Sequence, residues 1–183
     1  GIPSMGSTPG AFRLTRDVFG DGPVDLLFQE AAVNDSTNGR SPKEMTRGEE
    51  GVVRHARALN PDIDVVLMHF VDPGKMAELR EGETPEVIAR HEGVAEAYGL
   101  PSLDLAREVT GRIDAGQFTW EEDFKNLHPS PFGQRLYAAS IRRLLSAAWA
   151  RPAVDAAPAR DLPAPLDPFS YEGGQLIGLS QAD

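Results

Sequence analysis

Between Val24 and Asp104, three short apolar runs are separated by segments that open on a hydroxyl residue followed by proline, and this order leaves the chain few folds. Val24-Asp25-Leu26-Leu27-Phe28 and Asp64-Val65-Val66-Leu67-Met68-His69-Phe70 have the length and β-branched content of buried strands, with Leu100-Pro101-Ser102-Leu103-Asp104 a weaker third. These runs do not alternate polar with apolar, so they need cover on both faces, which suits parallel strands. Thr8-Pro9, Ser41-Pro42, Thr84-Pro85 and Ser130-Pro131 each place a hydroxyl where it can accept an orphan backbone N–H, and a proline where its missing N–H costs nothing. Glu44 adds the third helical position of a capping box begun by Ser41. Helices are therefore predicted over Pro9–Phe19, Pro42–Leu59, Pro85–Tyr98 and Pro131–Trp149. In the last, Phe132, Leu136, Tyr137, Ile141, Leu144, Leu145 and Ala148 share one face. Strands alternating with helices predict a doubly wound parallel sheet, with its ligand crevice at the carboxyl ends of the strands.

The 183 residues suffice for one such domain and a tail. The domain is predicted over residues 1–149 and the tail over 150–183. Ala150–Pro168 carries five of the fifteen prolines and reads as an extended linker. Phe169–Ile177 is expected to dock as a short strand or to begin another unit, and the tail to reach a neighbouring subunit or another domain. A formal net charge of −10 supplies no drive toward a phosphate backbone. No apolar run approaches the ~20 residues of a bilayer span, so neither nucleic acid nor membrane insertion is expected. The chain has no cysteine, which removes disulfides, thiolate metal sites and cysteine nucleophiles, and leaves the compartment open. No His, Asp and Glu stand at metal-ligand spacing, so no metal site is expected. The chain opens on Gly1-Ile2-Pro3-Ser4-Met5-Gly6-Ser7 rather than on a methionine and a basic leader, and reads as the remainder of a longer one.

Two segments after predicted strands and before predicted helices carry chemistry. Asn34, in Ala31-Ala32-Val33-Asn34-Asp35-Ser36, places an amide where it can donate to developing negative charge, or else closes the strand as an Asx turn. His128, on a loop stiffened by Pro129, is suited to carry a proton at neutral pH, or else packs against the helix start. The other histidines read differently. His91 falls on an apolar helix face, His55 sits beside Arg54 and Arg57 and is expected to meet solvent, and His69 ends a strand. Of the serines near these segments, Ser4 and Ser7 belong to the glycine turn, Ser36 caps a loop and Ser130 caps a helix.

Together these segments resemble the SGNH, or GDSL-type, serine esterases and lipases, in particular bacterial carbohydrate-esterase-like members. That family carries, in order, Gly-Asp-Ser after the first strand, a glycine after the second, Gly-x-Asn-Asp after the third, and Asp-x-x-His-Pro before the last helix. Val24–Asp35 is similar to the third block with its strand, His128–Ala138 to the fourth, and Gly1–Ser7 followed by Gly10–Leu14 to the second. The resemblance runs from Gly1 to about Trp149 and implies a flavodoxin-like, three-layer α/β/α SGNH-hydrolase fold. Three departures stand out. Ala32 replaces a glycine, Lys125 replaces the aspartate before His128, and Gly-Asp-Ser occurs nowhere, so the first strands and the nucleophile fall outside these residues.

By this resemblance His128 is the general base and acid, while the Asn34 amide and the Gly1 N–H hold the oxyanion. Asp123, Glu122 or Asn126 would orient the imidazole. The reaction is acyl transfer from an ester, and it needs no cofactor. The acidic composition and the lack of an apolar lid argue against a lipid-interface enzyme. Phe118 and Trp120 offer an aromatic wall for a sugar, or else anchor their loop to the core. The expectation is a carbohydrate or small-acyl ester hydrolase; the alternative is a carbohydrate-binding or scaffold protein that has lost its serine.

Overall fold

The structure, a computed structural model, describes residues 3–152 and 162–178. Three parallel strands, β1 (Leu26–Glu30), β2 (Asp64–Met68) and β3 (Ser102–Leu103), form a sheet in the order β1-β2-β3. Leu26 stands opposite Asp64 and Glu30 opposite Met68, so β1 and β2 end level at their carboxyl edge. The chain crosses from β1 to β2 through α2 (Ala32–Thr37) and α3 (Pro42–Leu59), and from β2 to β3 through α4 (Pro73–Arg80) and α5 (Glu86–Tyr98). Before the sheet comes α1 (Ser7–Asp17); after it come α6 (Leu105–Asp114), a π-helical turn at Trp120–Phe124 and α7 (Pro131–Trp149). Among the described residues no helix is long and apolar enough to cross a membrane.

The side chains of β2 divide the core. Val65 and Leu67 join Ala11 and Leu14 of α1, Val52, Val53 and Ala56 of α3, and Val94 and Ala95 of α5. Met68 joins Leu105, Ala106 and Val109 of α6 and Leu136 and Tyr137 of α7. Helices therefore lie on both faces, making a three-layer α/β/α domain of the predicted class. Within the described sheet β1 lies at one side, and its five residues are only half-buried or exposed, Leu26 to 37%. The far end of α7 is also poorly covered, with Trp149 75% exposed.

Two predicted helices, α3 and α7, have the predicted bounds, because Ser41 and Ser130 cap them. The Ser41 hydroxyl accepts from Glu44 N, and the Glu44 carboxylate accepts from Ser41 N at 2.9 Å. α5 starts one residue late, with Pro85 at its N-cap. α1 starts two residues early, because the Ser7 N–H is held by Asp35 Oδ1 at 2.9 Å. Pro9 then occupies the third helical position, where an N–H has no partner in any case. α4 and α6 were not anticipated. Aspartate caps both, Asp72 accepting from Lys75 N and Asp104 from Arg107 N. His55 is buried rather than solvent-facing, because α1 crosses over α3; its ring bonds to Thr15 Oγ1 at 2.9 Å and Ala11 O at 3.1 Å.

Residues 162–178 return to the outer side of α3 and α1, and there Phe169–Ile177, expected as a short strand or the start of another unit, forms a single 3-10 turn, Tyr171–Gly173. The buried carboxylate of Glu50 accepts from Leu166 N at 2.6 Å and Asp167 N at 3.1 Å, as well as from Tyr98 Oη at 2.7 Å. Arg47 pairs with Asp167 at 3.0 Å, and Arg54 pairs with Glu172 and donates to Pro163 O at 2.7 Å. Tyr171 lies over Gly51, where a β-carbon would come within 2.9 Å of its backbone. A closer helix surface would not admit it. Residues 153–161, within the predicted linker, lie outside the described residues.

Glu50→Ala removes one acceptor from two backbone donors and a tyrosine hydroxyl at once. A loss of about 1–3 kcal/mol is expected in urea unfolding, and chymotrypsin is expected to cut after Phe169 or Tyr171 before the body of the domain.

Candidate active site

At the carboxyl rim of the sheet β1 hands over to α2 within two residues, so the first turn of α2 projects above the strand ends. The N-cap of α2, Ala31, has no side chain able to close it. Glu30 does so instead, its Oε1 accepting from Val33 N at 3.1 Å and, more loosely, from Phe70 N at 3.5 Å. Burial pushes the Glu30 carboxyl above the ordinary carboxylate range, although the two N–H groups and Lys75 act the other way. Asn34, on this first turn, donates from Nδ2 to Met5 O at 3.1 Å, and Asn38 donates to Ser4 O at 3.0 Å. The two amides tie the turn before α1 onto α2.

His128 comes from the other side of the rim. Asn126 Oδ1 accepts from His128 N at 2.7 Å and fixes that residue's backbone. Ser130 accepts from Phe132 N and Gly133 N and donates to Asp123 O at 2.5 Å, which joins the π-helical turn to the start of α7. Gly133 permits this joint, since a β-carbon there would lie 2.6 Å from Pro129 Cβ and 2.8 Å from the Phe124 ring.

Asn34 and His128 line one cavity of about 520 Å³, together with Ser4, Glu30, Phe70 and Leu127. Phe70 is its aromatic wall, stacked on Tyr137 with centroids 4.5 Å apart. Ser4 and Lys125 are the two non-glycine residues with positive φ among the described residues, at +57° and +83°. One lines this cavity and the other begins the loop that carries His128. Such strain persists where surrounding contacts over-determine the backbone, and it concentrates at functional sites.

The remaining candidate residues lie elsewhere. Asp123 Oδ2 accepts from Thr119 N at 2.8 Å and Thr119 Oγ1 at 3.3 Å, and Glu122 is exposed on the π-helical turn. Among the described residues no carboxylate reaches the His128 ring. Phe118 packs edge-on against Phe132 and Trp120 stacks on Phe124, each with centroids 5.1 Å apart. Both serve as loop anchors outside the cavity, and Phe70 stands where a sugar wall was sought. Gly1 lies outside the described residues. Gly6 is buried against α2, where a β-carbon would come 2.1 Å from Asp35 Oδ1.

Beneath Asn34 lies a layer of buried polar groups that sequence reasoning left unassigned. Asp35 accepts from Ser7 N at 2.9 Å and Ser7 Oγ at 2.6 Å, and pairs with His91 Nε2 at 3.1 Å; all three residues are essentially inaccessible to solvent. Gln29 donates to the buried Glu49 at 3.1 Å, and His69 pairs with Glu92 at 2.7 Å. Burial alone would lower the His91 pKa, yet Glu49, Asp35 and Glu30 outweigh it and raise the value above 6.5. A histidine on an apolar helix face, 56 residues from an aspartate that follows a strand, offers no local sign of the pair.

The chain has been compared with known proteins. No curated protein matches it. A two-domain esterase active on acetylated mannans has a similar structure, with TM-score 0.76 and 26% identity over 94% of this chain and 43% of that one. The same esterase crystallised with mannopentaose gives 0.73 and 26%, over 94% and 42%. This chain thus spans less than half the length of that esterase. A protein from Lactobacillus plantarum shares the fold, with TM-score 0.56 and 15% identity over 75% of this chain and 72% of its own. The model of the GDSL-like lipase/acylhydrolase family matches residues 1–136, which include β1 with Asn34, the glycine turn and the loop of His128, and to that family this chain belongs.

Proposed function

We propose that the chain forms most of the catalytic domain of a carboxylic ester hydrolase that removes acetyl groups from a carbohydrate through an acyl-enzyme. The observation that carries this reading is the shared cavity of Asn34 and His128 at the carboxyl rim. A serine from outside these 183 residues attacks the ester carbonyl, and His128 takes its proton and returns it to the leaving alkoxide. The Asn34 amide spends one N–H on Met5 O and keeps the other for the oxyanion. A backbone N–H of the glycine turn completes the hole. Gly1 is the candidate read from sequence, and Gly6 is the glycine that the described residues bring beside α2. Asn126 Oδ1 accepts from the His128 backbone N–H, and Lys125 stands where the family has the aspartate that orients the ring.

Family membership supports the reaction class, and the likeness to an esterase active on acetylated mannans supports a polysaccharide acetyl ester over a lipid. Phe70 would face the sugar. The second reading is carbohydrate binding without hydrolysis. It draws on the absence of Gly-Asp-Ser from these residues and on two of the serines present, since Ser7 is buried on Asp35 and Ser130 is spent as a cap. Ser4 lines the cavity but lies in no Gly-Asp-Ser.

In the full-length protein, His128→Ala and Asn34→Ala are each expected to lower hydrolysis of aryl acetate and acetylated mannan at least about tenfold, with unchanged circular dichroism. Full activity after His128→Ala overturns the assigned role. Binding of acetylated mannan by a wild-type protein that releases no acetate favours the second reading. Gly133→Ala pushes Pro129 and Phe124 apart. It is expected to cost about 1–3 kcal/mol in stability and to lower kcat more than it raises KM, because it moves the loop of His128.

A further inference from the structure

The hydrolytic reading leaves unexplained why a histidine should be buried directly under the residue that follows Asn34. We propose that His91 is a positioning residue. As an imidazolium, it clamps the Asp35 carboxylate and so sets α2, with the Asn34 amide, at the height the oxyanion requires. This inference rests on the proposed hydrolase function and adds the regulation of its oxyanion donor by the charge of a group the substrate never touches.

The geometry is specific. Asp35 receives bonds from three directions: the Ser7 N–H and hydroxyl of α1, and His91 Nε2 of α5, while α2 itself carries Asp35. Asp35 therefore joins three helices through one carboxylate, and Asn34 is its neighbour in the same turn. His91 is faced by Asp35 of α2, Glu49 of α3 and Glu30 of β1, with His69, just after β2, at 6.0 Å between ring centroids and Ser7 of α1 uncharged across Asp35. Glu92 of its own helix is engaged with His69, and Lys75 of α4 acts on Glu30. Carboxylates thus outnumber the cations around the ring, and burial leaves no water to replace a missing charge. Neutral His91 would leave Asp35 with a weaker bond and Glu49 without its cation, and the joint at α2 would loosen.

The sign of the pH dependence follows from the raised pKa. The clamp is complete below the ordinary histidine value of 6.5 and is lost as pH rises through the higher value in the folded protein. His91→Gln keeps a donor and removes the charge. In the full-length protein acting on aryl acetate, it is expected to lower kcat about tenfold with KM within about twofold, and to abolish the alkaline fall in kcat expected of the wild type. His91→Gln with wild-type kcat and an unchanged alkaline limb overturns the inference. Should that variant not fold, the wild type still decides: imidazole nitrogen shifts are expected to show His91 more than half protonated at pH 6.5, and a neutral ring at that pH overturns the proposal. Asn34→Ala separates the two claims. If it is inactive while His91→Gln behaves as wild type, only the positioning role fails; if it is fully active, the oxyanion assignment itself fails.

Discussion

One carboxylate, that of Asp35, holds the site together. An ion this deeply buried is tolerable only with its acceptor positions filled, and here a backbone N–H, a hydroxyl and an imidazole fill them. The first two belong to Ser7 of α1 and the third to α5, so satisfying the charge fixes where α1, α2 and α5 meet. The close approach at Gly6 and at Gly48, where β-carbons would come 2.1 Å from Asp35 Oδ1 and from Ser7 Oγ, follows from the same demand. Removing any partner leaves a buried charge short of a bond in a region that water does not reach, which is a sharper penalty than the loss of one exposed bond.

The parts of the fold that were legible in sequence are those set by local rules. Ser41 and Ser130 cap helices whose bounds follow directly, and the β-branched run before His69 is β2. α4 and α6 escaped because an aspartate does the capping at Asp72 and Asp104, where only hydroxyl–proline pairs were sought. The order of Asn34 and His128 relative to strand and helix was readable, since both follow from chain direction in a parallel sheet. Contacts that depend on three dimensions were not. Phe118 and Trp120 precede His128 closely yet face the core, whereas Phe70, from the end of another strand, forms the wall. His55 and His91 lie on α3 and α5, and only the crossing of α1 and the position of Asp35 decide what surrounds them.

Local cost and global order meet at the two strained residues. Ser4 and Lys125 take a backbone conformation that disfavours any side chain, and each is pinned at once by its neighbours: Ser4 through its carbonyl to Asn38, and Lys125 by the π-helical turn whose last bond it closes to Trp120 O at 2.5 Å. Neither segment would hold this shape alone. The rim is thereby held on the two sides from which Asn34 and His128 enter, as the proposed oxyanion and proton-transfer roles would require.

The returning C-terminal segment has a spatial consequence. Leu176 lines a groove with Phe12, Pro3 and Ser4, and Pro3 and Ser4 also border the cavity of Asn34 and His128. On the proposed function, the vestibule for an ester is therefore walled by the first and the last parts of the described chain, which meet although the sequence keeps them farthest apart. Substitutions near Leu176, remote from every reacting atom, would reshape the doorway and leave the chemistry behind it intact.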